Sequence, residues 1–192
     1  MKGYSQMPLS QIEPTAALIV VDLQKGILGF PTIHPAADII RRTADIARAF
    51  RERELTVVLV NVDAAAPGRT DSGPLKFAFP PDFAEFVPEL DQQPADYVVT
   101  KKRWGAFSGT DLNAYLQGRG VTQVVITGIS TSAGVESTAR SAYESGYNVV
   151  IVTDAVTDRD LDVHRNSVEK IFPRLAETTT TDELLAQLTT AV

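Results

Sequence analysis

The sequence predicts an α/β fold: a doubly wound, mostly parallel sheet of about five or six strands with helices on both faces. Three observations predict it. Continuous apolar, β-branched runs recur along the chain, as at Ala16–Leu23 (AALIVVDL) and Leu55–Val62 (LTVVLVNV). Such runs mark strands buried on both faces. Segments of helical periodicity separate them, and that alternation is the pattern of right-handed crossovers on a parallel sheet. The stretch Val121–Arg140 (VTQVVITGISTSAGVESTAR) feeds a strand, Val124–Thr127, through a small polar turn into a helix beginning near Gly134. A turn of that kind aims backbone N–H groups and a positive helix end into the crevice beyond the strand carboxyl ends.

Taken in order, residues 1–15 read as an arm or loop, since Pro8 and Pro14 interrupt any helix. Ala16–Leu23 is a central strand with Asp22 and Gln24 at its carboxyl end. Residues 25–35 form a loop containing Gly26, Gly29, Pro31 and Pro35. Ala36–Glu52 is a helix, with Ile39, Ile40, Ala44, Ile46, Ala47 and Phe50 at helical spacing, and Leu55–Val62 is the second strand. Residues 63–95 are rich in Ala, Gly and Pro at first, and a loop this long in a compact domain reads as a binding loop or lid; Phe83–Leu90 within it reads as a short helix. Asp96–Lys101 (DYVVTK) is a third strand, followed by Lys102, Arg103 and Trp104. Ser108 or Thr110 then caps a helix over Asp111–Arg119. After the organising strand and its helix, which runs to Gly146, come a fifth strand at Tyr147–Thr153, a helix at Asp160–Phe172, a short edge strand at Leu175–Thr179 and a closing helix at Asp182–Leu188.

The composition bounds the function. A chain of 192 residues, 44% hydrophobic and 22% charged, is that of an ordinary globular domain, so one domain spanning residues 1–192 is expected. The net charge of −6 argues against nucleic acid or an anionic membrane surface as partner. No apolar run reaches membrane-spanning length, and the N-terminal apolar run ends in Asp22, unlike a signal peptide; a cytoplasmic protein is expected. There is no cysteine, which excludes a thiolate metal site and a thiol nucleophile.

Asp22, Lys101 and Gly134 lie at or just past the carboxyl ends of three predicted strands. Brought to one crevice, a carboxyl and an ammonium form an acid–base pair whose protonation depends on burial against charge. The plainer alternative is a turn-capping Asp22 and a solvated Lys101. Asp154 reads as a turn cap. His34 and His164 lack companions at metal-site spacing and read as structural. Ser130, Thr131 and Ser132 have no histidine–carboxylate partner in the pattern, so they read as hydrogen-bonding groups. Trp104 and Phe107 either wall a pocket or fill core.

Three segments together resemble the isochorismatase-like hydrolases, the superfamily that includes nicotinamidases and N-carbamoylsarcosine amidases: LIVVDLQKGIL (Leu18–Leu28), VVTKKRWGAFSGTDL (Val98–Leu112) and VVITGISTSAGVESTARSAYESGYNVVIVTDAVTD (Val124–Asp158). The resemblance implies a three-layer αβα, Rossmann-like sandwich. It implies a catalytic aspartate at Asp22 and a catalytic lysine at Lys101 rather than Lys102. It places the family's nucleophilic cysteine position on Gly134, and a cis peptide between Ile129 and Ser130 that turns backbone N–H groups into the site. Asp63–Gly68 (DAAAPG) lacks the histidines of the nicotinamidase metal site, so neither metal nor cofactor is expected.

Glycine at position 134 excludes the family's thiol chemistry. True isochorismatases resemble this chain in having glycine there. Their vinyl-ether hydrolysis needs an acid and a water, with Asp22 as the implied acid, Lys101 as its partner and Gln24 as a hydrogen-bond donor to a substrate oxygen. The stretch NVDAAAPGRTDSG after the second strand differs from theirs and offers Arg69 as an anion contact. The expected substrate is a small, anionic molecule bound among Gln24, Arg69, Trp104, Phe107, Ile129 and Ser130. The alternative is a non-catalytic member that binds a small ligand or serves in an assembly. A homodimer or larger homo-oligomer is expected from the small and apolar residues of Ala36–Glu52 and Ser137–Tyr143 and from the family's habit.

Overall fold

The computed structural model describes residues 9–71, 73 and 79–190. Six strands form one sheet, in the order β3-β2-β1-β4-β5-β6, every neighbouring pair parallel. They are β1 (Ala16–Val21), β2 (Thr56–Val62), β3 (Tyr97–Lys101), β4 (Gln123–Ile129), β5 (Asn148–Thr157) and β6 (Glu177–Thr179). The α-helices are α1 (Lys25–Leu28), α2 (Ala36–Glu52), α3 (Leu112–Gly118), α4 (Glu136–Glu144), α5 (Leu161–Asn166) and, after the last strand, α6 (Thr181–Thr190).

Alternation along the strands builds two cores. Ala17, Ile19 and Val21 of β1 face one layer, where they meet Leu112 and Leu116 of α3 and Ala139 and Ala142 of α4. Leu18 and Val20 face the other, against Ile39, Ile46 and Phe50 of α2 and Leu184 and Leu188 of α6. This is an α/β fold with helices on both faces, as the buried runs predict. The apolar face of α2 is therefore spent within the chain and gives no argument for an oligomer. Residues 1–8 of the expected N-terminal arm, position 72 and positions 74–78 of the expected loop lie outside the described residues. Among the described residues, no helix is long and apolar enough to cross a membrane.

Several boundaries differ from the sequence reading. β4 does not end at Thr127 but continues through Gly128, which takes φ +119° opposite Val21. A side chain on Gly128 would collide with the Val21 backbone, so the residue that normally breaks a strand here permits its closest approach. β5 runs on to Thr157, past an irregularity in its pairing with β4 between Ile126 and Gly128. The helix expected at Phe83–Leu90 is absent; only a single 3₁₀ turn, Pro88–Leu90, forms. Phe83 instead packs on the backbone of Gly26, where a methyl group would overlap its ring, and Gln24 bridges Phe86. The helix expected over Asp160–Phe172 is an α-helix only to Asn166, begun by Asp160, whose carboxylate accepts from the N–H groups of Asp162 (2.8 Å) and Val163 (3.2 Å).

Strand order reverses direction between β1 and β4. A sheet of this order has its crevice there, beyond the carboxyl ends, because the crossovers leave to opposite faces.

Candidate active site

The chain turns left-handed at the end of β1. Asp22 has φ +54°, unusual for a residue with a side chain, and its N–H is tied to Val60 O at 2.8 Å. That turn points the carboxylate across the end of β2 towards the edge strand. From β3, Lys101 reaches back, and its Nζ donates to Asp22 Oδ2 at 2.7 Å. Both groups are buried, at 5% and 2% exposure. The other oxygen, Oδ1, has no hydrogen-bond partner among the described residues. Burial raises the Asp22 pKa to about 6, against the opposing pull of the Lys101 charge and hydrogen bond. Lys102, one residue on, points outward and pairs with Asp63 at 2.9 Å.

β4 delivers the third component. The Ile129–Ser130 peptide bond is cis. From there the chain enters a wide π-type turn, Thr131–Val135, closed by Val135 N–H to Ser130 O at 3.1 Å, and continues directly into α4. Gly134 lies in this turn against Asp22. A Cβ there would stand 3.1 Å from Asp22 Oδ2, 3.0 Å from Val21 Cγ1 and 3.3 Å from Ile129 O. Asp158, just past β5, fixes the turn from outside: its Oδ2 accepts from Ser132 N–H (2.7 Å) and Ser132 Oγ–H (2.8 Å). His164 Nδ1 pairs with Thr131 Oγ1 at 2.9 Å, and His34 Nδ1 with Thr157 Oγ1 at 3.1 Å. The two histidine rings meet edge to face at 5.1 Å. Burial, reinforced by His34, lowers the His164 pKa.

Around Asp22, Lys101 and Gly134 opens a cavity of about 400 Å³, towards the lower end of ligand-pocket sizes. Its lining includes Ile129, Ser130 and Trp104 of the expected set, together with Phe30, Phe79 and Phe83, Ala64–Ala66, Arg103 and Arg159.

Three expected contacts are displaced. Gln24 is fully buried and its carboxamide is committed to the backbone: Nε2 donates to Val62 O (2.9 Å) and Phe83 O (2.8 Å), and Oε1 accepts from Val62 N–H (2.7 Å). It fastens the 83–86 segment over the strand ends and does not line the cavity. Phe107 packs into the core beside Tyr147, with ring centroids 6.0 Å apart. Arg69 is exposed and stands outside the lining. Asp154 caps the start of α6, accepting from Thr181 N–H at 2.8 Å and Thr181 Oγ–H at 2.9 Å.

The sequence reading missed Asp158, Arg103 and Arg159. Asp158 is the second aspartate of TDAVTD and Arg103 follows the lysine pair, so both stood within quoted motifs. Only the path of the chain after β3 and β5 turns them to the site.

A sequence model of the isochorismatase domain matches residues 16–183. The isochorismatase family protein YwoC of Bacillus subtilis (strain 168) is 40% identical over 184 residues, covering 90% of this chain and 93% of YwoC. The ureidoacrylate amidohydrolase RutB of Variovorax paradoxus (strain S110) is 32% identical over 178 residues, covering 77% of this chain and 71% of RutB. Among solved structures, that of an isochorismatase family protein from Burkholderia thailandensis superposes with a TM-score of 0.90 at 43% identity, over 94% of this chain and 98% of that one.

Proposed function

The chain belongs to the isochorismatase family, and from that premise we propose that it hydrolyses a small anionic substrate by acid chemistry at Asp22, without a covalent nucleophile. One observation carries the reading. A buried carboxyl in the cavity wall, its pKa raised to about 6, keeps Oδ1 without a hydrogen-bond partner among the described residues, while its Lys101-bound Oδ2 faces Gly134, which has no side chain to fill the space. A general acid is most effective when its pKa lies near the working pH. At position 134, where an amidase of this family would need a thiol, there is no side chain to attack with, so amide chemistry of the RutB kind has no nucleophile at that point.

The reaction best served is vinyl-ether hydrolysis of the isochorismate type, which the resemblance implies. The Asp22 proton goes to the terminal methylene carbon of the enolpyruvyl group, whose π electrons form the new C–H bond. The resulting oxocarbenium takes a water at the ether-bearing carbon. That water's proton returns to the Asp22 carboxylate, and the hemiketal collapses by breaking its bond to the ring oxygen, releasing pyruvate and the ring alcohol. Lys101 orients Asp22 through its hydrogen bond to Oδ2 and leaves Oδ1 for the proton. The turn at Ser130–Gly134 stands at the N-terminus of α4, whose positive dipole end favours negative charge in the cavity.

Purified protein given isochorismate is expected to release pyruvate, with release lost in D22A. Absence of release from the wild-type protein would refute the vinyl-ether reading. It would favour the non-catalytic alternative, in which the same cavity binds a ligand that it does not cleave.

A further inference from the structure

The cavity is positively charged within a negatively charged chain. Against a net charge of −6 for the whole sequence, the described lining residues include three cations, Lys101, Arg103 and Arg159, and one carboxylate, Asp22. Lys101 is paired with Asp22 at 2.7 Å. Neither Arg103 nor Arg159 forms an ion pair with a carboxylate among the described residues, so two guanidinium charges remain for whatever enters.

Their placement is built. The Arg159 guanidinium lies 3.7 Å from the centroid of the Phe30 ring, stacked on a face that itself lines the cavity. Its backbone N–H donates to Asp158 Oδ1 at 2.7 Å, and Asp158 Oδ2 holds Ser132 of the active turn. The arginine is thereby anchored to the same turn that carries Gly134, and its flat fork is oriented before any ligand arrives. Arg103 lies along Gly109, where a Cβ would come within 2.8 Å of its Nη1. Much of the rest of the lining is apolar, including Ile27, Val62, Phe79, Phe83 and Trp104.

We propose that Arg159, assisted by Arg103, is the specificity-determining group of this cavity, and that it selects a ring-sized, largely apolar molecule bearing a carboxylate. The proposal rests on reading the cavity as the substrate site. A stacked guanidinium offers two parallel N–H donors to a carboxylate, an arrangement that a neutral amide of the same shape does not match. The apolar wall supplies the remainder of the binding without regard to charge.

Trp104 tests this directly. It is the only tryptophan in the chain, 65% exposed and part of the lining, so its emission reports occupancy. Benzoate and benzamide, equal in shape and different in charge, are titrated into wild type, R159Q, R159K, R103Q and, as a control outside the cavity, R69Q. Wild type and R69Q are expected to bind benzoate at least about tenfold more tightly than benzamide. R159Q is expected to lose most of that preference while its benzamide affinity, and hence its fold, is kept. R103Q should lose a smaller part, and R159K should retain part by charge alone.

Equal binding of acid and amide by wild type, an R159Q preference unchanged from wild type, or no saturable response to either probe up to about 50 mM would overturn the proposal. Failure of the catalytic reading is separable. Acid preference without pyruvate release overturns only the vinyl-ether chemistry, and pyruvate release without acid preference overturns only the role of Arg159.

Discussion

If burial outweighs Lys101 at Asp22, the carboxyl titrates near pH 6 and folding stability carries its mark. The ordinary value is 3.8 and the folded value about 6. The difference of about 2 units corresponds to about 3 kcal/mol between the two protonation states. The native protein holds this proton more tightly than the unfolded chain does. Between pH 4 and 6 it therefore binds more protons than the unfolded state, and stability falls as the pH rises. Above pH 6 both states are deprotonated and the whole cost is in place. D22N isolates the effect, because asparagine tolerates the left-handed backbone that aspartate adopts at φ +54°.

Urea unfolding of wild type and D22N from pH 4 to 7 is expected to show wild type losing about 2 kcal/mol relative to the variant, most of the full difference. In carboxyl-labelled protein, one aspartate resonance should have its midpoint near 6 and vanish in D22N. K101M removes both influences that lower the Asp22 pKa, so the midpoint should move above 6. A midpoint at or below 4, a parallel pH dependence of the two proteins, or a downward shift in K101M would refute the reasoning.

G134A adds a methyl group 3.1 Å from Asp22 Oδ2 and 3.0 Å from Val21 Cγ1; destabilisation of about 1–2 kcal/mol by urea unfolding and at least tenfold slower turnover are expected, and wild-type turnover would mean that this space is not used. D158A leaves Ser132 N–H and Oγ–H without their acceptor, and thermal melts should show a loss of about 2–3 kcal/mol, against about 1 kcal/mol for S132A, which removes only the hydroxyl bond. G128A forces a side chain onto φ +119° and into the Val21 backbone; it is expected to lose more than about 3 kcal/mol or fail to fold, and a stable variant would mean that β1 and β4 are not so closely apposed.

The sheet was legible because its central strands are buried on both faces and are written as unbroken apolar runs. Legibility failed where one residue serves two purposes. Gly128 looks like a strand terminus because glycine usually is one, yet here it removes the side chain that would separate β4 from β1. Thr153 and Asp154 look like the polar end of a strand, yet β5 continues to Thr157 while the Asp154 carboxylate turns away to cap α6. That extension carries Asp158 to the turn at Ser132 and Arg159 to the cavity. Phe83, Phe86, Val87 and Leu90 have a spacing that fits a helix, but Phe83 answers to Gly26 across the chain rather than to its own neighbours. His34 and His164, 130 positions apart, meet through ring contacts that local patterning does not contain.

The choice between an Asp22 that caps a turn and one that does chemistry turns on its hydrogen bonds. A capping carboxylate accepts from nearby backbone N–H groups, as Asp154, Asp158 and Asp160 all do. Among the described residues Asp22 accepts from none: Oδ2 takes Lys101 and Oδ1 takes nothing. Three unfavourable features coincide on this one residue, a left-handed backbone, a buried ionisable group and an unpartnered oxygen. A buried ion pair contributes little net stability, because desolvation offsets its attraction. The strain is local as well, since the carboxamide of Gln24, two residues on, is satisfied by three backbone bonds. A fold that satisfies Gln24 so fully while leaving Asp22 Oδ1 without a hydrogen-bond partner among the described residues keeps an unfilled polar position on a residue that lines the cavity, where a reacting molecule would complete it.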